Sequence, residues 1–330
     1  MKISTALAAS IASLALSGSV FASTIQWATV GDINNVADNT GFGAVSHEFK
    51  IMKFEFTNSD YVTFLNAVDQ AGSNTRSLYA PAMSTSLRGG IDFVPGNPNG
   101  SKYVVKADFG AKPVNNVSWW DAARVANWMH NGQGIGASTE TGAYTLNGAI
   151  TGVTPVKESG ALYWIPSENE WYKAAYYKGG STNAGYWEYA TQSETLPTKV
   201  TASAQGVGSA GPVGNFANFG VEADWNGANG NVTSVGTNGG PSAYGAYDMT
   251  GNVAEIVGLG ASSSIARMGG HLTTDPSALG ATNAATVAIS FNATDFAGFR
   301  LATGVPEPGS TLPILTLFGL ALSKGRRRKA

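Results

Sequence analysis

The sequence has no cysteine among its 330 residues. This absence excludes disulfides, thiolate metal sites and thiol nucleophiles. Charged residues are also few, at 13 % of the chain, and the net charge is only −2. A surface of that kind offers no basic patch for phosphates, so nucleic acid is not expected as a partner. Stability must therefore come from packing and from bound groups rather than from cross-links.

Glycine is abundant, with 42 residues, and predicts a loop-rich domain held by turns. Three helix starts are built alike, each with a hydroxyl residue followed three positions later by an acidic one and then by apolar residues at helical spacing. These pairs are Thr57 with Asp60, Ser118 with Asp121, and Ser167 with Glu170. They predict structural capping boxes and carry no chemistry.

Long segments rich in Gly, Asn and Pro lie between these helices, at residues 71–112, 131–160 and 178–242. Such long loops are either functional or disordered. Their aromatic side chains favour packed loops over disorder, and they leave two interpretations open: the rings pack into the core, or they line a groove for a sugar or a peptide. The residues concerned are Tyr79, Phe93, Tyr103, Tyr186, Trp187, Tyr189 and Trp225.

Both ends of the chain carry export signals. Residues 1–22 read as a signal peptide, with Lys2 before an apolar run and small residues that predict cleavage between Ala22 and Ser23. At the other end, residues 304–330 combine Pro306, Glu307 and Pro308 with a short apolar run and a basic terminus. That order resembles the PEP-CTERM sorting tail of Gram-negative bacteria. The resemblance implies transient membrane contact, removal of the tail by an exosortase, and delivery to the cell surface or extracellular matrix.

The chemistry-bearing stretch is residues 242–255, where Asp248 and Glu255 flank a tight turn at Gly251 and Asn252. Carboxylate oxygens with backbone carbonyls between them are ligands that hard cations prefer. A buried turn in which Asp248 and Asn252 bond their own backbone would have the same sequence pattern. The residues alone leave both interpretations open.

Residues 247–255 read Tyr-Asp-Met-Thr-Gly-Asn-Val-Ala-Glu, which resembles a signature of the sulfatase-modifying-factor superfamily, the formylglycine-generating-enzyme fold. Further matches follow the family order at residues 53–58, 113–121, 165–171, 267–270 and 298–301. The resemblance implies an α+β fold, an irregular, loop-rich variant of the C-type-lectin-like fold, in a single domain over residues 23–303.

The resemblance also implies calcium. The first site would use the side chains of Asp248 and Glu255 with the carbonyls of Gly251 and Val253. A second, looser candidate would use Asn218 and Phe219 with Asp224 and Asn226. The sequence departs from the family beside the first site, where Ala254 and Ile256 replace aromatic residues.

Copper is not expected. In formylglycine-generating enzymes, two cysteines shortly after the Gly-Gly turn bind copper, whereas the segment after Gly269 and Gly270 contains none. Soft ligands for Cu(I) are therefore missing. His47, His130 and His271 raise an iron alternative, but no two of them have a ligand spacing such as i, i+4 on a helix. His271 directly follows the Gly-Gly turn, at the rim of the family's groove, and is a candidate groove residue.

These observations favour an exported, non-catalytic, calcium-stabilised surface or matrix protein that binds a peptide or a glycan such as exopolysaccharide in its groove. Two alternatives remain. One is an enzyme of the same fold with cysteine-independent, metal-dependent oxidase chemistry, and the other is a purely structural matrix component.

Overall fold

The computed structural model of the protein describes residues 25–283 and 293–305. The predicted signal cleavage site at Ala22 and Ser23 and the motif at Pro306, Glu307 and Pro308 lie outside the described residues. Among the helices of the described residues, none combines the length and the apolar character needed to cross a membrane.

Short strands and a few helices make up the described part of the chain. The strands are β1 (Trp27–Val30), β2 (Phe49–Met52), β3 (Ile91–Phe93), β4 (Tyr103–Val105), β5 (Tyr163–Trp164), β6 (Thr198–Lys199), β7 (Phe216–Ala217), β8 (Ala254–Val257), β9 (Ala266–Met268), β10 (Ala297–Gly298) and β11 (Ala302–Gly304). The helices are α1 (Asn58–Val68), α2 (Ala82–Thr85), α3 (Trp119–His130) and α4 (Glu168–Tyr176), with 3₁₀ turns at Pro276–Ala278 and Ala281–Asn283.

All three predicted capping boxes are confirmed. Thr57, Ser118 and Ser167 each accept a hydrogen bond from the backbone N–H three residues later, and the acidic side chain at that position bonds back to the cap. These boxes satisfy backbone donors that the first turn of a helix leaves unpaired. They fix where α1, α3 and α4 begin.

The largest sheet joins the two ends of the domain. Its strand order is β1-β2-β11-β5, and every pairing in it is antiparallel. In this register Ala302 lies opposite Ile51 on one side and Trp164 on the other. The core packs around α3, of which only the last residue, His130, is not buried.

A second sheet brings the signature stretch to the C-terminal segment. β8 pairs with β10 in parallel and with β9 antiparallel, so Glu255 lies opposite Gly298 and Met268. Arg300, two residues after β10, can therefore reach Glu255. The architecture confirms the predicted single, loop-rich α+β domain.

The loop aromatics divide between the two interpretations left open by the sequence. Tyr103 and Trp225 are buried, and Tyr79 and Phe93 pack with Tyr103 at ring-centre distances of 5.4 Å each. Tyr186 and Trp187 instead line a surface cleft, described below.

Candidate functional site

The signature stretch centres on a buried ion pair. The guanidinium of Arg300 binds both oxygens of Glu255, with Nε 2.6 Å from Oε2 and Nη2 2.5 Å from Oε1. Trp171 adds an indole N–H 2.7 Å from Oε2. Both charged side chains are enclosed by protein. A pair this buried compensates its lost hydration only when its hydrogen bonds are complete, as they are on this carboxylate.

Asn252 extends this arrangement to a second carboxylate. Its amide donates to both oxygens of Glu55, at 3.1 and 3.3 Å, and its own oxygen accepts the backbone N–H of Thr233 at 2.9 Å. The preceding Gly251 has a φ of 85°, and a Cβ there would come within 2.3 Å of the carbonyl oxygen of Asn218. The turn therefore requires glycine both for its conformation and for this close approach.

Asp248 completes what we call the buried network, made of Glu55, Asp248, Asn252, Glu255 and Arg300. Asp248 accepts the backbone N–H of Gly236 at 2.5 Å and the amide of Asn238 at 2.9 Å. Burial raises the pKa of Glu55 well above its ordinary value, and the charges of Asp248 and Glu255 raise it further against the opposing charge of Arg300. Burial also raises the pKa of Asp248. With one guanidinium among three carboxyl groups, the network favours the protonated form of Glu55.

The carboxylates of the first predicted calcium site already have hydrogen-bond donors in the protein. Both oxygens of Glu255 and both of Asp248 accept hydrogen bonds from N–H groups. Three of these four oxygens accept a single hydrogen bond and keep a lone pair, while the positive charge of Arg300 beside Glu255 disfavours a second cation there. The structure brings the predicted ligands close to the same turn, with Gly251 at its centre and Val253 just before β8. Calcium binding there stays a prediction.

The residues of the second predicted site point to different partners. Asn218 is buried, and its amide donates to the carbonyl of Asn231 at 2.8 Å, while its Oδ1 accepts no hydrogen bond from the described residues. Phe219 packs in a small cluster with Ala217 and Leu279. Asp224 and Asn226 are exposed and bond elsewhere, to the backbone N–H of Gly230 and to the carbonyl of Leu87. This second calcium site also stays a prediction.

The three histidines have separate surroundings. His47 lies 2.9 Å from a carboxylate oxygen of Glu170, and His130 accepts the backbone N–H of Leu162. His271 stacks on Phe296 with ring centres 4.4 Å apart. Burial, reinforced by the charge of Arg267, lowers the pKa of His271 to about 4. Across residues 25–283 and 293–305, no three His, Asp or Glu side chains form a group that could hold a metal.

An open cleft of about 310 Å³ lies where three distant segments meet, and we call it the aromatic cleft. It is bounded by residues 36–39, by residues 177–194, and by Ala281 and Thr282 from the segment after the Gly-Gly turn. Its aromatic and polar lining residues are Asp38, Asn39, Tyr177, Asn183, Tyr186, Trp187, Glu188 and Glu194. The candidate residue His271 is not among those that line it.

The rings of the aromatic cleft are fixed from behind. The Tyr186 hydroxyl donates to the carbonyl of Val36 at 2.8 Å and accepts the amide of Asn35 at the same distance. Tyr177 meets Tyr186 edge to face, with ring centres 4.9 Å apart. The ammonium of Lys178 lies 4.3 Å from the centre of the Trp187 ring. These contacts hold two rings in place without enclosing them.

The polar groups of the aromatic cleft remain available. Glu188 accepts a hydrogen bond from Thr282. Glu194 pairs with Lys178 at 2.9 Å near the surface and accepts the backbone N–H of Glu188 at 3.2 Å. Asn39 and Asn183 are exposed, and their side-chain amides make no hydrogen bond to the described residues. The cleft thus combines aromatic faces with carboxylate and amide groups that can bond a ligand.

Residues 36–305 match the family model of the Sulfatase-modifying factor enzyme 1-like domain. The chain belongs to this family. Solved structures similar to this family member include CarF, at 21 % identity and a TM-score of 0.47 over 86 % of this chain and 99 % of that one. Variable protein 1 of Treponema denticola matches at 16 % identity and a TM-score of 0.44, over 84 % and 95 % of the two chains. PvdO from Pseudomonas aeruginosa matches at 18 % and 0.41, over 85 % and 92 %. The comparison with curated proteins gave no match.

Sequence reasoning about this sulfatase-modifying-factor-like domain missed two members of the buried network. Glu55 and Arg300 lie inside segments that carry the family resemblance, residues 53–58 and 298–301, yet their pairing with the signature stretch was not foreseen. Glu55 lies between two phenylalanines, and Arg300 lies between Phe299 and Leu301. A charge flanked by apolar residues could have indicated a buried pair, since buried charges need partners. The aromatic cleft had no local signal beyond its loop aromatics.

Proposed function

We propose that this protein is an exported, non-catalytic binding protein that holds a glycan in the aromatic cleft. The observation that carries the proposal is the placement of Tyr186 and Trp187 beside Asn39, Asn183 and Glu188 in one open cleft. Membership of the family supports the fold only, because one fold serves many functions.

A sugar ring suits such a lining for two reasons. Its C–H faces are apolar and pack on aromatic rings, which provide a large contact area with little loss of side-chain entropy. Its hydroxyls both donate and accept hydrogen bonds, which matches carboxylate oxygens and the two-sided amide of asparagine. A concave site with a few convergent polar groups is the usual form of a small-ligand site.

The negative charge of the aromatic cleft favours neutral or amino-bearing glycans over acidic ones. Asp38, Glu188 and Glu194 line it, and Lys178 is already paired with Glu194. A neutral or amino-bearing saccharide would meet no repulsion there, whereas an acidic polysaccharide would. The non-catalytic part of the proposal rests on the sequence, which offers no cysteine for the copper chemistry of formylglycine-generating relatives.

The proposal is tested by screening the purified domain on arrays of neutral, amino-bearing and acidic oligosaccharides, followed by calorimetric titration of a neutral binder. Trp187→Ala should weaken binding at least tenfold, about 1.4 kcal/mol, and Asn183→Ala should weaken it less. Asn229→Ala is a matched control, since Asn229 is also exposed and lies outside the cleft. Melting curves show whether each variant is folded.

Three results would contradict the proposal: no saccharide binds, acidic saccharides bind best, or Trp187→Ala and Asn229→Ala bind alike. A parallel peptide array separates the other candidate ligand, because binding of peptides alone would assign the cleft to a peptide.

A further inference from the structure

A second, smaller cavity lies apart from the aromatic cleft, and we call it the Trp164 pocket. It is formed where the start of α3, the strand β5, the start of α4 and the loop after β8 meet, and it shares no residue with the lining of the cleft. Its volume is about 180 Å³. Its lining includes Trp119, Tyr144, Lys157, Trp164, Glu170 and Gly258.

The walls of the Trp164 pocket suit one flat ring. Trp119 and Tyr144 meet edge to face with ring centres 5.1 Å apart, and the indole of Trp164 forms another wall. An apolar protein cavity of about 150 Å³ holds benzene. The pocket is therefore large enough for a six-membered ring with a short substituent, and its aromatic walls favour an aromatic ring over an alkyl chain.

The polar groups of the Trp164 pocket differ between its interior and its mouth. Inside, both oxygens of Glu170 are occupied: Oε1 lies 2.9 Å from His47, and Oε2 accepts the indole N–H of Trp164 at 3.1 Å. Burial opposes ionisation of this carboxyl, but the hydrogen bonds from His47, the Ser167 backbone and Trp164 hold its pKa below the ordinary value. The interior therefore already contains a negative charge and would repel a second one.

The mouth of the pocket is positive. Lys157 is the exposed charged residue of the lining, and its ammonium lies 3.9 Å from the centre of the Trp164 ring. No carboxylate of the described residues forms an ion pair with it. The charge of Lys157 also reaches the pocket interior, where it helps to lower the pKa of Glu170. A ligand that enters ring first would bring a terminal anion to this ammonium.

Tyr144 adds a hydrogen-bond donor to the wall. Its hydroxyl oxygen accepts the backbone N–H of Ile165 at 3.0 Å, and its own proton has no acceptor among the described residues. Burial raises the pKa of Tyr144, so the hydroxyl keeps that proton. An oxygen substituent on the ligand would satisfy it.

The chain around the pocket exposes large aliphatic side chains. Val153, Val156 and Leu162 are 62 %, 57 % and 56 % exposed. Single exposed apolar side chains are normal on protein surfaces, so these residues do not by themselves assign the ligand to a polypeptide.

From this arrangement we propose that the Trp164 pocket binds an aromatic carboxylate, with the ring between the indoles and the carboxylate at Lys157. The ligand is either a free aromatic acid or the C-terminal aromatic residue of a polypeptide, since both present the same chemistry. This inference does not depend on glycan binding in the aromatic cleft.

Phenylacetate is the first probe, titrated into the full domain by calorimetry and by the fluorescence of the pocket tryptophans. We expect saturable binding, and 2-phenylethylamine, which carries the opposite charge, should bind at least tenfold more weakly. Lys157→Gln should weaken phenylacetate tenfold and strengthen 2-phenylethylamine, because it removes the charge that repels the amine. Lys102→Gln is the control, because Lys102 bonds the carbonyl of Pro95 and lies outside the pocket.

Gly258→Val tests the location of the ring. A Cβ at Gly258 would have the carbonyl oxygen of Ile165 as its nearest neighbour, at 3.4 Å, an ordinary contact distance. The backbone therefore has room for a Cβ at this position, and the two further methyl groups of valine should reduce the cavity and abolish phenylacetate binding. If it does not fold, the comparison of Lys157→Gln with Lys102→Gln still decides the proposal.

Peptides ending in phenylalanine distinguish the two sources. Tighter binding than phenylacetate, lost when the C-terminus is amidated, assigns the ligand to a polypeptide, whereas binding of phenylacetate alone assigns it to a free acid. The proposal is overturned if neither probe binds saturably, if acid and amine bind equally, or if Lys157→Gln has no effect. Trp187→Ala should leave phenylacetate binding unchanged, which separates this site from the glycan proposal.

Discussion

The buried network and the aromatic cleft both present three carboxyl groups, and they use them in opposite ways. In the network, Asp248 and Glu255 accept hydrogen bonds on every oxygen from protein N–H groups, and Arg300 neutralises one charge. In the cleft, Glu188 and Glu194 lie near the surface, and their partners are a hydroxyl, one backbone N–H and a partly exposed lysine. Enclosed carboxylates are committed to the fold because an unpaired one would be costly, while exposed ones remain available to a ligand.

The strongest test of this contrast removes the cation from each region. Arg300→Met leaves Glu255 buried without its partner, which should cost about 3–5 kcal/mol of unfolding free energy. Lys178→Met breaks the exposed pair with Glu194 and should cost less than about 1 kcal/mol. Urea unfolding of both variants measures the difference. Similar losses in the two variants would show that the enclosure of the network has no energetic role.

The second test asks whether calcium stabilises the buried network. The sequence predicts a calcium ion at Asp248 and Glu255, whose oxygens accept hydrogen bonds from N–H groups in the structure. An ion present at 100 times its dissociation constant would stabilise the fold by about 2.7 kcal/mol. Under that prediction a chelator lowers the melting temperature of the wild type, and Asp248→Asn abolishes the response. Coincident melting curves with and without chelator would show that the hydrogen bonds of the network suffice.

A smaller effect should appear in the pH dependence of stability. The pKa of Glu55 is raised in the folded state, so its neutral form favours folding and its contribution is complete below the ordinary glutamate pKa. As pH rises from that value toward the raised pKa, the unfolded chain ionises first, and stability falls by about 1.4 kcal/mol per pH unit. Glu55→Gln should remove the part of this slope that Glu55 contributes and leave the part due to other buried carboxyls such as Asp248 and Asp121, whose pKa values burial also raises.

The control for that experiment is Glu188→Gln, which changes a carboxylate of the aromatic cleft and should leave the slope in place. A Glu55→Gln variant whose stability follows the same pH profile as the wild type would show that Glu55 ionises freely in the folded protein.

Local patterns in the sequence predicted much of the fold. The capping boxes at Thr57, Ser118 and Ser167 depend on residues three positions apart, and all three formed as predicted. The signature stretch predicted a turn at Gly251 and Asn252 between Asp248 and Glu255; that Glu255 lies in a strand, β8, was not predicted. Caps and turns are predictable because their geometry is set within a few residues.

The sites depended on contacts that no local pattern contains. Glu255 pairs with Arg300, which lies 45 residues later in the sequence. Asn252 bonds Glu55, which lies 197 residues earlier. Asn218 lies against Asn231 and Thr233 rather than beside Asp224, because the loop between them folds back on itself. The aromatic cleft likewise forms only when three separate segments meet. Spacing alone could not show which of the many loop aromatics would face solvent.

The position of β11 in the largest sheet has a consequence for how the protein must be made. β11 lies between β2 and β5, so a strand from the last part of the domain occupies the middle of a sheet begun by its first residues. A nascent chain cannot complete this sheet until residue 304 has been synthesised, and pairings so distant in sequence form slowly. Until then β2 and β5 present open edges, which are templates for association with other chains. Fragments that end before residue 302 should therefore accumulate as aggregates, however intact their helices are.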